Sequence, residues 1–211
     1  ALNETSETEK KVFYESVCIA LEGSLKFINR YSEKALVLAE TDNNKAQNNH
    51  LKEISRICRK LATKTPDTFH EALQSLWFLF VLLQLESNAS SFSPGRMDQY
   101  LYPFYKRDID SGKLTQDHAL ELISCLWLKF NEIVYLRNSH SAKYFAGFPI
   151  GFNVAIGGLD ENGQTAENEL SYLMLQAQKN LGLPQPNLSA RIGSKSSIQF
   201  LDSCVEVVSK G

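Results

Sequence analysis

The sequence is short of the features that would tie it to a polymer, a membrane or a metal. Its 22 Lys and Arg are outnumbered by 24 Asp and Glu, and the net charge is -2. The basic residues are scattered, so no cationic face is offered to nucleic acid or to anionic lipid. The longest uninterrupted apolar run, Leu76 to Leu83, is far below the roughly 18 residues of a membrane span. No basic, then apolar, then small-residue order at the N-terminus suggests a secretory signal. The four histidines, His50, His70, His118 and His140, lie on separate segments and form no His-x-x-x-His pair, which argues against a metal site. The four cysteines, Cys18, Cys58, Cys125 and Cys204, have no short pairwise spacing and fall within apolar helical patterns. They are expected to be reduced core thiols of a cytoplasmic protein. Internal repeats and low-complexity segments are lacking as well.

What is present is a large apolar fraction, 43% of 211 residues, enough to build one large domain or two small ones. From Glu4 to about Ala39 the residues Phe13, Val17, Ala20, Ile28, Tyr31, Ala35 and Leu38 recur at helical spacing. The Asn-rich run Thr41 to Asn49 reads as a turn, and a second helix carries Leu51, Ile54, Ile57, Cys58 and Leu61. Thr65-Pro66-Asp67 ends it, with Asp67 or Thr68 placed to cap the next helix. That helix, Phe69 to Leu85, is apolar on every face and is expected to be buried all round, which asks for more cover than a chain of this size supplies.

Downstream, a helix over Met97 to Arg107 is expected to break at Pro103. Thr115 caps a helix running to about Arg137, and Arg137 to Gly151 reads as irregular. Phe152 to Ile156 and Asn187 to Ile192 read as strands, with helices over Thr165 to Leu181 and Ser194 to Lys210. Gly182 would stop the first of these helices, and Asp160 to Gly163 reads as a turn. The resulting order of helix, strand, helix, strand, helix implies parallel pairing through a crossover helix, an α/β and predominantly helical fold. Two strands cannot close a barrel, so sheet edges are left over.

Between two helices lies the stretch Glu86 to Asp108, with a cluster of hydroxyls, one Gly-Arg pair and five aromatic rings. Such a loop suits a pocket for a small polar molecule. Arg96 could hold a carboxylate bidentately, or could instead pair with Asp98 or with a loop carbonyl. Asp98, Gln99 and Tyr100 read as scaffolding.

Ser93-Pro94-Gly95-Arg96-Met97-Asp98-Gln99-Tyr100-Leu101-Tyr102-Pro103-Phe104-Tyr105 resembles the Gly-Arg-x-Asp-Gln-Tyr-x-Tyr-Pro-Phe-Tyr block of the glycyl radical enzymes. This pyruvate formate-lyase-like family includes glycerol and choline dehydratases and lyases, to which the wording is closer. Thr68 to Gln74, Asn153 to Gly158, Asn168 to Leu173 and Gln185 to Ser189 match further blocks in the family's order. The resemblance implies part of a ten-stranded barrel built from two parallel half-barrels with helices outside. Inside it a Cys loop and a Gly loop meet. A glycyl radical takes a hydrogen atom from the Cys, and the resulting thiyl acts on the substrate. A separate S-adenosylmethionine, iron-sulfur activase installs the radical.

The chain departs from the family in having no Gly-Cys-Val-Glu-Pro-like loop and no Arg-Val-x-Gly-Tyr-like block. Cys204-Val205-Glu206 echoes the first, but Val207 follows it rather than Pro, and it sits on a helical stripe; a core cysteine is the expectation. The resemblance therefore implies an N-terminal piece, inactive alone and with no catalytic or cofactor-binding residue of its own. Residues 1–86 would form outer and buried helices, and 87–211 a pocket loop with barrel units. By alignment Ser90 and Ser91 would line the substrate pocket, unless they serve only their own loop backbone. Phe145 would be a pocket wall or plain core, and Asn153 would face the barrel interior or cap a backbone group. The expected reaction is radical dehydration or elimination of a small polar substrate, in a homo-oligomer. Acyl transfer between pyruvate and coenzyme A is the second reading, and a non-catalytic helical interaction module the third.

Overall fold

The structure, a computed structural model, describes residues 8–41, 44–87, 92–133, 138–145 and 151–210. The chain divides into two compact units, one ending at Pro66 and one beginning at Asp67.

The first unit is a pair of helices, α1 (Thr8–Thr41) and α2 (Lys45–Leu61). Asn44 caps α2, its side chain accepting from the backbone of Ala46 and Gln47, so the link between the helices is shorter than the Asn-rich run suggested. The buried face of α1 is Ile28, Ser32, Ala35 and Ala39, and that of α2 is Ser55, Ile57, Cys58 and Leu61. The expected α1 stripe is thus rotated: Phe13, Val17, Tyr31 and Leu38 are exposed. Small residues decide this, because Ser and Ala let the two backbones approach, and Ser32 Oγ donates to Ser55 O at 2.8 Å. With 34 residues against 17, α1 is twice as long as α2, and its first half has no buried residue.

The second unit holds the main core. It comprises α3 (Phe69–Ser87), α4 (Met97–Tyr100), α5 (Tyr102–Asp110), α6 (Gln116–Asn131), α7 (Ser139–Phe145), β1 (Asn153–Gly157), α8 (Glu169–Leu181), β2 (Asn187–Arg191) and α9 (Ile198–Val208). Thr68 caps α3 reciprocally with Glu71: Glu71 N donates to Thr68 Oγ1, and Glu71 Oε2 accepts from Asp67 N and Thr68 N. The expected all-round burial of α3 is not found, since Leu79 and Leu85 are more than half exposed. The break expected at Pro103 falls at Leu101, and Pro103 sits in the first turn of α5, where its missing N–H costs nothing. Helix α6 stops at Asn131 rather than near Arg137. Ser139–Phe145, expected as irregular, is helical behind an Asn138 cap. Helix α8 begins at Glu169 rather than at Thr165, because Asn168 and Ser171 form a capping box there.

The two strands are parallel, with Asn153 opposite Asn187 and Gly157 opposite Arg191, as the helix and strand order implied. Alternation along β1 sends Val154 and Ile156, both fully buried, to one face. That face packs into a core with Leu170 and Met174 of α8, Phe200 of α9 and the aromatic group Phe80, Phe130 and Phe152. Ring centroids in that group are 4.9 to 5.0 Å apart. The α/β, mostly helical class is as expected. Of the cysteines, Cys58 and Cys204 are buried, whereas Cys18 and Cys125 are exposed, contrary to the expectation that all four are core thiols.

Candidate functional site

The opposite face of the sheet carries Asn153 and Ala155 from β1 and Asn187, Ser189 and Arg191 from β2. Asn153, Asn187, Ser189 and Arg191 are exposed, so this face is polar where the other is dry. Ser189 Oγ donates to Asn153 Oδ1 across the strands at 3.2 Å. Asn187, Ser189 and Arg191 are absent from the sequence-level candidates; the one signal that could have found them is the alternation of polar and small residues in Asn-Leu-Ser-Ala-Arg.

The free edge of β1 is occupied by the segment leading into α4. Gly95 N donates to Asn153 O at 3.4 Å, and Ala155 N donates to Gly95 O at 2.8 Å, a parallel bridge between Gly95 and Val154. Ser93 Oγ accepts from Asn153 N at 3.0 Å. A positive φ of 75° at Gly95 suits glycine at this turn. The segment 93–95 is therefore docked along β1, beside the polar face.

Beyond Gly95 the block Arg96-Met97-Asp98-Gln99-Tyr100 ties three elements together. Asp98 is fully buried, and its Oδ2 accepts from Gly157 N and from Ser171 Oγ, both at 2.7 Å. Asn168 Nδ2 donates to the Asp98 carbonyl at 2.9 Å, and Gln99 Nε2 to the Ala166 carbonyl at 2.7 Å. Burial pushes the Asp98 carboxyl above the usual carboxylate range, against the pull of those hydrogen bonds and of the Arg96 charge. Tyr100 donates to the Pro94 carbonyl at 3.0 Å, and burial raises its hydroxyl pKa. The scaffolding reading of Asp98, Gln99 and Tyr100 agrees with these contacts.

Arg96 reaches back to β1, its Nη2 donating to the Gly157 carbonyl at 2.8 Å. The carbonyl it meets belongs to strand β1 and not to the loop. Asn153 sits at the start of β1, so Arg96 and Asn153 lie on the same strand-edge assembly. Ser90 and Ser91 lie outside the described residues, as does the side chain of Phe145. Among the described residues no cluster of His, Cys, Asp and Glu could hold a metal, and no helix is long and apolar enough to cross a membrane. Cys204 lies in α9 with its thiol pKa raised by burial, the surroundings of a packing cysteine rather than of a reactive loop thiolate.

Comparison with known proteins places this geometry. A family model described as pyruvate formate lyase-like matches residues 1–211. The chain is 38% identical over 203 residues to a probable dehydratase, YbiW, of Escherichia coli (strain K12), a match covering 94% of this chain and 25% of that protein. It superposes on the glycerol-bound form of the B12-independent glycerol dehydratase from Clostridium butyricum with a TM-score of 0.93 and 37% identity, covering 99% of this chain and 27% of that one. A glycyl radical enzyme from Archaeoglobus fulgidus matches with a TM-score of 0.92 and 39% identity, again over 99% and 27%. The chain thus spans about a quarter of the length of the relatives it matches.

Proposed function

Because the chain belongs to the pyruvate formate lyase-like family, with a match along its whole length, we propose that it is the N-terminal part of a glycyl radical enzyme of the dehydratase or lyase kind. The observation that carries this reading is the superposition on a glycerol dehydratase at a TM-score of 0.93. The full-length protein would eliminate water or another small leaving group from a small polar, hydroxyl-bearing substrate.

In this reading the described residues supply one wall of the substrate cavity. The polar sheet face, with Asn153 at its start, offers amide and hydroxyl partners, while Arg96 offers a guanidinium beside the end of β1. Ser90, Ser91 and Phe145 are proposed to complete this wall. The dry face of the same sheet packs on aromatic core, which keeps water out from behind. When formed, the glycyl radical supplies the acceptor for a hydrogen atom. Its host glycine and the reactive cysteine are proposed to lie outside these 211 residues, so the chain alone is silent. The remaining partners proposed are a radical-installing activase and a second copy of the enzyme, in the cytoplasm.

The test is anaerobic activation of the intact protein with an S-adenosylmethionine radical activase, followed by assays on glycerol and on pyruvate with coenzyme A. Carbonyl product from glycerol or a related polar compound supports the reading. Formation of acetyl-coenzyme A instead would move the protein to the acyl-transfer branch, and turnover by the 211-residue chain alone would refute the division proposed here.

A further inference from the structure

We propose that Asp98 is a positioning residue for Arg96, acting through Gly157, an inference that rests on reading Arg96 as part of the substrate wall. The two charged residues stand two positions apart on one segment and take hold of opposite ends of the same glycine. Gly157 N donates to Asp98 Oδ2 at 2.7 Å, and Arg96 Nη2 donates to Gly157 O at 2.8 Å. The carboxylate fixes where Gly157 lies, and the carbonyl of Gly157 fixes where the guanidinium lies.

Each link in this relay is itself immobilised. Ser171 Oγ shares Asp98 Oδ2, and Asn168 Nδ2 holds the Asp98 carbonyl, so the N-terminus of α8 sets the carboxylate. Gly157 has a φ of 68°, and a Cβ there would stand 2.8 Å from Phe200 Cε1. Its following peptide is held by Gly158 N donating to Arg191 O at 2.8 Å. A shifted glycine would lose these contacts or strike the Phe200 ring.

The arrangement has a use only for a side chain that must wait in place. A free arginine loses rotamer entropy when fixed. Holding it before the ligand arrives removes that cost from binding. The bond from Nη2 to Gly157 sets where the guanidinium lies, and sites of this kind need placement within roughly 0.5 Å.

Steady-state kinetics of the intact, activated protein, together with thermal melting, test the relay in Arg96→Gln, Asp98→Asn, Asp98→Ala and Thr68→Ala. Asparagine keeps an acceptor for Gly157 N, so Asp98→Asn is expected to hold KM within about threefold of wild type. Asp98→Ala should raise KM roughly tenfold or more with kcat changed little, as Arg96→Gln should. Thr68→Ala, which weakens the cap of α3, should lower the melting temperature without moving KM. A raised KM in Arg96→Gln with a wild-type KM in Asp98→Ala overturns the relay and leaves the substrate-wall reading standing. An unchanged KM in Arg96→Gln overturns both. Should Asp98→Ala not fold, Ser171→Ala takes its place: it removes one donor from Oδ2, and an unchanged KM there counts against the relay.

Discussion

At the scale of single residues, two carboxylates respond to the fold in opposite senses. Asp98 is fully buried, and burial raises its pKa although donors from Gly157, Ser171 and Gln99 and the charge of Arg96 oppose the shift. An acid whose folded pKa lies above its unfolded value, about 3.9 for Asp, binds protons more readily when folded. Its contribution to stability is therefore complete below that unfolded value and is lost as pH rises through the folded one. Glu169 behaves conversely, because the Tyr102 hydroxyl donates to its Oε2 at 2.5 Å and lowers its pKa. Its contribution is present above the unfolded value and is lost as pH falls through the folded one. Urea unfolding of wild type and Asp98→Asn from about pH 4 to 7 should show the advantage of the wild type shrinking as pH rises. A difference that stays constant with pH would mean the carboxylate ionises as freely in the fold as out of it. The sequence marks Asp98 as scaffold, but the pairing across 59 positions with Gly157 is a long-range contact that no local pattern records.

At the scale of elements, helix limits were legible where a strong cap or stop marks them: Gly182 ends α8 directly after Leu181, as expected, whereas α6 stops at Asn131, short of Arg137. Thr68 and Thr115 each accept from the backbone N–H three positions on, the contact that makes such residues readable as starts; Ser197 does the same for α9, which therefore begins at Ile198 and not at the expected Ser194. Asn168 shows why a start can still be misplaced. A run of helix-compatible residues from Thr165 suggested an earlier beginning, yet the box formed by Asn168 and Ser171 outweighs propensity because it satisfies otherwise unpaired amides. Asn168 also donates to the Asp98 carbonyl, so it joins the cap of α8 to α4. Asn168→Ala is expected to cost about 2 kcal/mol, the upper part of the range for caps, measured by urea denaturation. A loss no larger than that of Thr68→Ala would show that the bond to Asp98 adds nothing. Helix α7 went unread because a seven-residue helix has too few turns to display a period.

At the scale of the whole molecule, the two units differ in how much apolar surface they bury. The second has a core of aromatic and aliphatic side chains from α3 to α9, and Phe69, Trp127, Phe130, Phe152 and Phe200 are all inaccessible to solvent. The first buries a short seam of mainly small residues, and α1 before Ile28 contributes nothing to it. Hydrogen exchange should follow this division. Amides of α6, α8 and β1 are expected to be the slowest, amides of α1 before Gly23 to exchange first, and α2 with the second half of α1 to fall between. Protection in the first half of α1 equal to that of α8 would contradict the burial seen here.

The sequence by itself determined most of the elements, the parallel pairing, the family and the position of the Gly-Arg block, because hydrophobic period, capping residues and ordered local blocks are written in neighbouring residues. Only the tertiary structure decided which face of each element is covered and what the polar groups do. The contact of Arg96 Nη2 with the Gly157 carbonyl at 2.8 Å is one that no local pattern records. The polar face formed by Asn153, Asn187, Ser189 and Arg191 exists only once two distant strands lie in register. The physical reason is one of range: propensity, capping and periodicity act over a few residues, whereas burial and hydrogen bonding at this site join segments 59 to 73 positions apart.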